Sequence, residues 1–324
     1  MRAGFAEEIT MVYVGIDIGG TGIQVGIVDE KGSILQKGSM PTGVGRPFAD
    51  IVKDMCDCVE STLASSGHTM LEVHSVGVGV PGFADAKNGH VYYANNLGWT
   101  DVPLREEMQK HLDKPIFIDN DATVAGLAES VAGVTAGTDS SVFVTLGTGV
   151  GGGIVLHGKV WSGHHGIGSE IGHMIMEMDG VPCTCGNRGC LERYCSATAI
   201  IRMAREQVAV HPESMIMTLC GGDPEKINAK MVFDASKEGD AIGQRIFHRY
   251  IDYLAQAMAT IINFLDPEVI ALGGGVSKAG SYLLDALRAE VGKYVLGKNL
   301  PFSRIEIAEL GPEAGIIGAA MLGA

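Results

Sequence analysis

The chain has 324 residues, of which 46% are hydrophobic and 19% charged, so it can bury a sizeable core and is not a disordered segment. At roughly 150 residues per domain, that length suits about two domains. A net charge of −14 repels polyphosphate backbones and anionic lipid, which disfavours nucleic acid and membrane surfaces as partners.

The N-terminal MRAGFAEEIT lacks the basic start and apolar stretch of a secretory signal, and nowhere do about 18 apolar residues run together as a membrane span would need. With seven cysteines, an odd number, this points to a reducing cytoplasm. Met11 directly precedes a strand, so residues 1–10 are either a dispensable extension or the product of an upstream start.

From Val12, the segment VYVGIDIGGTGIQVGIVDEKGSILQKG alternates β-branched residues with turn glycines, the pattern of strands joined by hairpins. Apolar residues at helical spacing (Ile51, Val52, Met55, Val59, Leu63) predict a helix from Phe48 that ends at Gly67. HSVGVGVPG is a buried strand, a helix begins near Pro103, PIFIDND is another strand, and Ala122 to Ala132 is helical. SSVFVTLGTGVGGGIVLHGKVW then repeats the opening grammar, with Thr145 to Gly149 standing where Asp17 to Thr21 stand in the first copy. Two similar α/β lobes with a cleft between them follow if the unit is duplicated, although convergent glycine hairpins look alike. Further on come a long amphipathic helix from Asp240 to Leu265, a strand in EVIALGGGV and a helix from about Ala279 to Tyr294. A small, apolar helix near Pro312 to Leu322 is suited to close packing.

Gly occurs 46 times, in clusters that suit backbone approaching a ligand. The pattern G-x-x-x-x-G-K-[ST] is absent, and G-x-G-x-x-G at 147/149/152 and at 77/79/82 lacks the helix that dinucleotide binding requires. A third grammar fits better. Asp17 leads through Gly19 and Gly20 to Thr21, and a second turn offers Gly147, Thr148 and Gly149. Such turns let backbone N–H groups converge on phosphate oxygens, and Asp17 can hold Mg²⁺ through water.

His173, Cys183, Cys185 and Cys190 place one imidazole and three thiols within eighteen residues, a closed donor set for a structural Zn²⁺. The alternative, buried core cysteines, is disfavoured by the loop-like residues between them, whereas Cys56, Cys58 and Cys220 have no ligand spacing. Glu170 lies three residues before His173 and Glu192 two after Cys190, so a metal knot would fix two carboxylates suited to sugar hydroxyls. Most surface carboxylates are merely solvated.

These motifs together, D-I-G-G-T (17–21), N-L-G-W (96–99), D-N-D-A (119–122), L-G-T-G-V-G-G-G (146–153), G-I-G-S-E-I-G-H (166–173), C-x-C-G-N-R-G-C-L-E (183–192) and G-G-G-V (273–276), resemble the ROK family of sugar kinases, near its bacterial glucokinases. The resemblance runs from about Val12 to the C-terminus. It implies an actin-like (ribonuclease H-like) two-lobed ATPase fold, each lobe a mixed α/β sheet with flanking helices, often as a homodimer. Residues 11–121 with 311–324 would form the smaller lobe, and residues 122–310 the larger lobe with its zinc loop at 173–192.

The implied activity is ATP- and Mg²⁺-dependent phosphorylation of a hexose, glucose before mannose, N-acetylmannosamine, N-acetylglucosamine or fructose. By position, Asp121 would be the catalytic base at the sugar 6-hydroxyl, with Asn96, Asn120, Glu170, His173 and Glu192 orienting the sugar and Gly82 nearby. His173 would serve both zinc and sugar. The turns at 19–21 and 147–149 would hold the ATP phosphates, and Gly274 with Gly275 would lie beside adenosine. On its own, Asp121 also reads as a helix N-cap before Ala122. Many relatives carry Lys where this chain has Gly22, which leaves the phosphates to backbone donors and Mg²⁺. Relatives of the family also act as sugar-responsive repressors with an N-terminal helix-turn-helix. About eleven residues before the first strand are too few for that module, and a non-catalytic sensor would be expected to lack Asp121.

Overall fold

The structure, a computed structural model, describes residues 11–324, so the reading of residues 1–10 lies outside the described residues. In chain order the first elements are β1 (Val12–Ile18), β2 (Gly22–Val28), β3 (Ile34–Pro41), α1 (Phe48–Ser66), β4 (Val73–Val80), β5 (Phe83–Asp85), β6 (His90–Ala94), β7 (Trp99–Val102), α2 (Leu104–Gln109), β8 (Ile116–Asn120) and α3 (Asp121–Ala132). Then come β9 (Ser140–Leu146), β10 (Val150–Leu156), β11 (Lys159–Val160), α4 (Glu192–Cys195), α5 (Ala197–Val208), α6 (Met215–Leu219) and α7 (Ala229–Lys237). The last are α8 (Ala241–Leu265), β12 (Val269–Gly273), α9 (Gly274–Ser277), α10 (Ser281–Val291), β13 (Arg304–Ile307) and α11 (Ala314–Met321). Among the described residues no helix is long and apolar enough to cross a membrane.

The chain divides into two units, one of residues up to 137 with 158–168 and 312–324, the other of residues 138–157 and 169–311. In the first, the sheet order is β3-β2-β1-β4-β8. β1, β2 and β3 pair antiparallel, while β4 and β8 join parallel to β1. A smaller antiparallel sheet, β5-β6-β7, extends this unit. One layer of its core is α1, whose Ile51, Val52, Met55, Val59 and Leu63 are buried, and which ends at Gly67 in the left-handed region (φ 79°) as its spacing predicts.

The other layer depends on missing side chains. A Cβ on Gly77 would stand 1.7 Å from the Ala319 carbonyl oxygen, and one on Gly15 1.9 Å from that of Ile316, so β4 and β1 meet the backbone of α11 directly. Gly318 lies against α3 in the same way, since a Cβ there would stand 1.6 Å from the Val124 carbonyl oxygen. Because backbone cannot yield as a flexible side chain does, Gly77→Ala is expected to lower unfolding free energy by roughly 2–3 kcal/mol, seen as a reduced denaturation midpoint. An unchanged midpoint would mean that α11 can slide.

This packing moves the boundary expected between residues 121 and 122. α3 shares its close contact with α11, so it stays with the first unit and the chain leaves that unit only after Gly137. The segment Gly158–Gly168 also returns to the first unit, an excursion that no motif in the sequence signals.

In the second unit four strands of its sheet run β10-β9-β12-β13, with an antiparallel hairpin followed by two parallel neighbours. That is the order β2-β1-β4-β8 of the first sheet, as duplication requires and coincident hairpins alone would not supply. α8 is capped by Asp240, whose side chain accepts from Gly243 N, and ends at Asp266. Its Tyr250, Leu254 and Met258 are fully buried, as are Ile270 and Leu272 of β12.

Candidate active site and metal centre

Asp17 lies at the C-terminal end of β1, Gly82 just beyond β4, and Asn120 and Asp121 where β8 passes into α3, so three parallel strands deliver them to the same edge of the sheet. Between β1 and β2 the turn is closed by Gly19 N donating to Gly22 O (2.9 Å). Thr42 braces it. Its buried hydroxyl donates to Gly19 O (2.6 Å) and its N–H to Thr21 O (3.2 Å), which leaves Gly20 and Thr21 exposed. A Cβ on Gly20 would sit 3.4 Å from Asn96 O, so this turn and Asn96 are neighbours.

The Asp17 carboxyl fits against the first turn of α11, in space that a Cβ on Gly315 would invade to 2.5 Å. Burial first, and then the charge of Asp121, lift its pKa from 3.8 to about 6. The folded state thus prefers Asp17 protonated. That preference contributes stability fully below pH 3.8 and loses it as pH rises through about 6. At pH 8 the ionised group costs at most about 3 kcal/mol. Asp17→Asn is therefore expected to raise the melting temperature of the free protein at pH 8 and hardly at pH 4. Equal shifts at both pH values would contradict this.

Asn120 is the N-cap of α3. Its Oδ1 accepts from Ala122 N (2.9 Å) and Thr123 N (3.3 Å), while its Nδ2 donates to Gly82 O (2.9 Å). The cap considered for Asp121 is thus held by the residue before it, and Asp121, the first residue of the helix, presents an exposed side chain. Gly82 has φ 108°, and a Cβ there would lie 2.2 Å from Tyr93 O, so only glycine fits. Although its surface is open to solvent, the protein packed around Asp121 displaces enough water to raise its pKa, against the pull of the Ala122 N–H on its Oδ1 (2.8 Å). A carboxylate shifted upward is a stronger base near neutral pH.

In the second unit the turn Gly147–Gly149 is held by α5, since Ala197 N donates to Gly147 O (2.8 Å) and the Thr198 hydroxyl to Thr148 O (2.7 Å). Glu192, which opens α4, accepts from Val150 N (3.1 Å) and occupies the space over Gly149, where a Cβ would come 2.3 Å from its Oε2. Gly274 (φ 84°) packs against the backbone of Leu146, one residue before the turn, while Gly275 faces open space. A carboxylate, a phosphate-type turn and the G-G-G segment therefore converge. Open space above exposed Thr148 and Gly275 is room that a nucleotide needs.

Glu170 precedes a single 3₁₀ turn, Ile171–His173, and its carbonyl accepts from His173 N (3.0 Å). From there the chain forms a hairpin. Leu191 N donates to Met174 O (2.8 Å) and Met176 N to Gly189 O (2.8 Å), and a tight turn brings Cys183 and Cys185 around to Cys190. The ligand atoms of His173, Cys183, Cys185 and Cys190 lie within 4.8 Å of one another. Cys183 Sγ is 3.8 Å from His173 Nδ1, and Cys185 Sγ is 3.6 Å from Cys190 Sγ. The edge of a tetrahedron around a thiolate-bound zinc is about 3.7 Å, so both donor set and spacing fit a four-coordinate cation. With Nδ1 turned toward the thiols, Nε2 remains on the other edge of the ring.

Of the residues assigned to the sugar, Gly82, Asn96, Asn120 and Asp121 belong to the first unit, and Glu170, His173 and Glu192 to the second. Each unit supplies one phosphate-type turn. The sequence alone did not mark Thr42 and Thr198, because a brace is defined by contact rather than by motif. Nor did it mark Glu177, which accepts from the Tyr194 hydroxyl (3.1 Å) and from that of Tyr253, tying the metal hairpin to α8.

The model of the ROK family matches residues 13–324. The chain is 40% identical to the glucokinase of Thermotoga maritima over 95% of its own length and 96% of that protein's, and 38% identical to the glucokinase of Halalkalibacterium halodurans over 96% and 94%. Among solved structures it is similar to a Streptomyces griseus ROK family glucokinase crystallised with glucose and AMPPNP. That likeness has a TM-score of 0.80 and 33% identity, and covers 96% of this chain and 98% of the other. A putative xylose repressor from Caldicellulosiruptor is 26% identical, and the match spans 95% of this chain but 76% of the repressor.

Proposed function

The chain belongs to the ROK family, and from that premise we propose the residue roles by which it carries out its reaction. It has the family's actin-like ATPase fold and is an ATP-dependent kinase that converts glucose to glucose 6-phosphate. The observation that carries the residue-level reading is Asp121, an exposed carboxylate fixed at the junction of β8 and α3 beside the capped Asn120.

Phosphoryl transfer through a loose transition state needs positioning and charge neutralisation more than covalent chemistry. Asp121 takes the proton of the sugar 6-hydroxyl as that oxygen bonds to the γ-phosphorus of ATP, and the bond from phosphorus to the bridging oxygen breaks to release ADP. Asn96, Asn120, Glu170, His173 and Glu192 hold the other hydroxyls, with the backbone of Gly82 alongside. In Asn120 both lone-pair directions of Oδ1 are used by the helix cap, so its contribution is the remaining Nδ2 proton. The turns Gly19–Thr21 and Gly147–Gly149 bind the phosphates, Gly274 and Gly275 flank adenosine, and Asp17 would hold Mg²⁺, which would neutralise phosphate charge.

The Cys₃His set would hold Zn²⁺, and with four protein donors its role would be structural. We place this kinase in the cytoplasm, at an early step of sugar catabolism; that none of the seven cysteines is paired in a disulfide suits a reducing compartment. We propose a homodimer as the working form, which the family resemblance implies. A coupled ADP-release assay over glucose, mannose, fructose, N-acetylmannosamine and N-acetylglucosamine tests the reading. Glucose should show the highest kcat/KM, and a higher value for an N-acetylhexosamine or fructose would reassign the substrate.

A further inference from the structure

We propose that Asp119 is a positioning residue for the sugar site, tying the base of the Ser162–Gly168 loop to the strand that carries Asn120 and Asp121 and thereby setting glucose affinity rather than turnover. This rests on the kinase reading above.

Asp119 is 5% exposed, and no ion pair answers its charge among the described residues. One carboxylate oxygen accepts from Asn120 N (2.7 Å), and the other faces the Ser162 hydroxyl at 3.4 Å. Burial lifts its pKa to about 6, so the ionised form is held at a loss. A strand residue that only had to pack would be better apolar, and the register that pairs Asp119 with Gly79 would accept one. A charge buried here needs a hydrogen-bond partner beyond Asn120 N.

Ser162 is that partner. Gly168 N donates to Ser162 O (2.7 Å), and a Cβ on Gly168 would lie 2.9 Å from that oxygen, so the loop is a ring pinned at Ser162. Two residues beyond Gly168 the chain reaches Glu170, one of the proposed sugar ligands. Ser162 thereby anchors Gly168, from which the chain runs on to Glu170. A cavity of about 950 Å³ lies beside this contact, lined by Phe117, Asp119, Ser162, His164, His165 and Ile167, and gives the loop room to shift. A contact of 3.4 Å next to open space can shorten when sugar fills the site, as functional hydrogen bonds commonly do on ligand binding. Asn120 and Asp121 do not need it, because the β8 ladder and the α3 cap hold them already.

The test measures glucose Kd by titration calorimetry, together with KM, kcat and thermal midpoint, for the parent and for Asp119→Asn, Ser162→Ala and the double variant. Trp161 emission reports on the loop. Each single variant should weaken glucose binding roughly tenfold, raise KM in step, keep kcat within about threefold and alter Trp161 emission. The double variant should be no worse than either single. Unchanged Kd, a loss confined to kcat, or additive effects would overturn the proposal while the parent still turns over glucose. A parent that neither binds nor phosphorylates glucose would instead remove the kinase reading and this proposal with it. Should Asp119→Asn not fold, Ser162→Ala decides alone.

Discussion

Asp121→Ala is expected to lower kcat at least about a thousandfold, with glucose affinity and thermal midpoint near those of the parent. A positioned general base contributes roughly 10²–10⁴-fold, and alanine leaves no group at that point to take the proton. The fold should not suffer, because Asn120 caps α3 and loss of a carboxyl whose pKa the folded state raises removes no stability at neutral pH. Asp121→Asn keeps the shape and should lose as much, which separates proton transfer from packing. Retained turnover within tenfold of the parent would transfer the role of base to another group.

The pH profile follows from the same side chain. The base works only when deprotonated, so kcat/KM should fall as pH drops through the pKa of Asp121, which desolvation raises above the usual carboxylate value. Asp17, raised to about 6 by burial first, also feels the charge of Asp121. The acid limb therefore belongs to the pair rather than to either residue. Asp17→Asn removes one of the two charges and should move the remaining limb toward lower pH. A limb that stays in place would show that the two carboxylates are not coupled.

Local patterns were legible in the sequence and long-range packing was not. The hairpins at 12–28 and 140–156 were readable because β-branched alternation and turn glycines are short-range signals, and the metal set because its four ligands fall within eighteen residues. The assignment of α3 was not, since it follows from Gly318 meeting Val124 across almost two hundred positions. The β5-β6-β7 sheet escaped notice because its strands are three to five residues long, too few to display a period. At the site, motif residues such as Glu192 were visible, whereas Thr42 and Thr198, which hold the turns from behind, belong to no pattern along the chain.

Cys185→Ser is expected to remove bound zinc and raise KM for glucose at least tenfold, with a smaller effect on kcat. Cys185 is the exposed thiol of the cluster, so its loss leaves the buried Cys183 and Cys190 in place and opens the coordination shell rather than the core. The consequence passes along the backbone in both directions. His173 is itself a ligand and follows Glu170 by one 3₁₀ turn, while Glu192 stands two residues past Cys190 and lies over Gly149. Losing the knot thus releases three proposed sugar contacts at once, whereas Asp121 in the first unit keeps its geometry. Because Glu192 also accepts from Val150 N beside the phosphate-type turn, KM for ATP should rise as well, by a smaller factor. Elemental analysis of freshly purified parent should give about one zinc per chain. Parent protein free of zinc, or a Cys185→Ser enzyme with parental KM for glucose, would show that the hairpin stands without a metal.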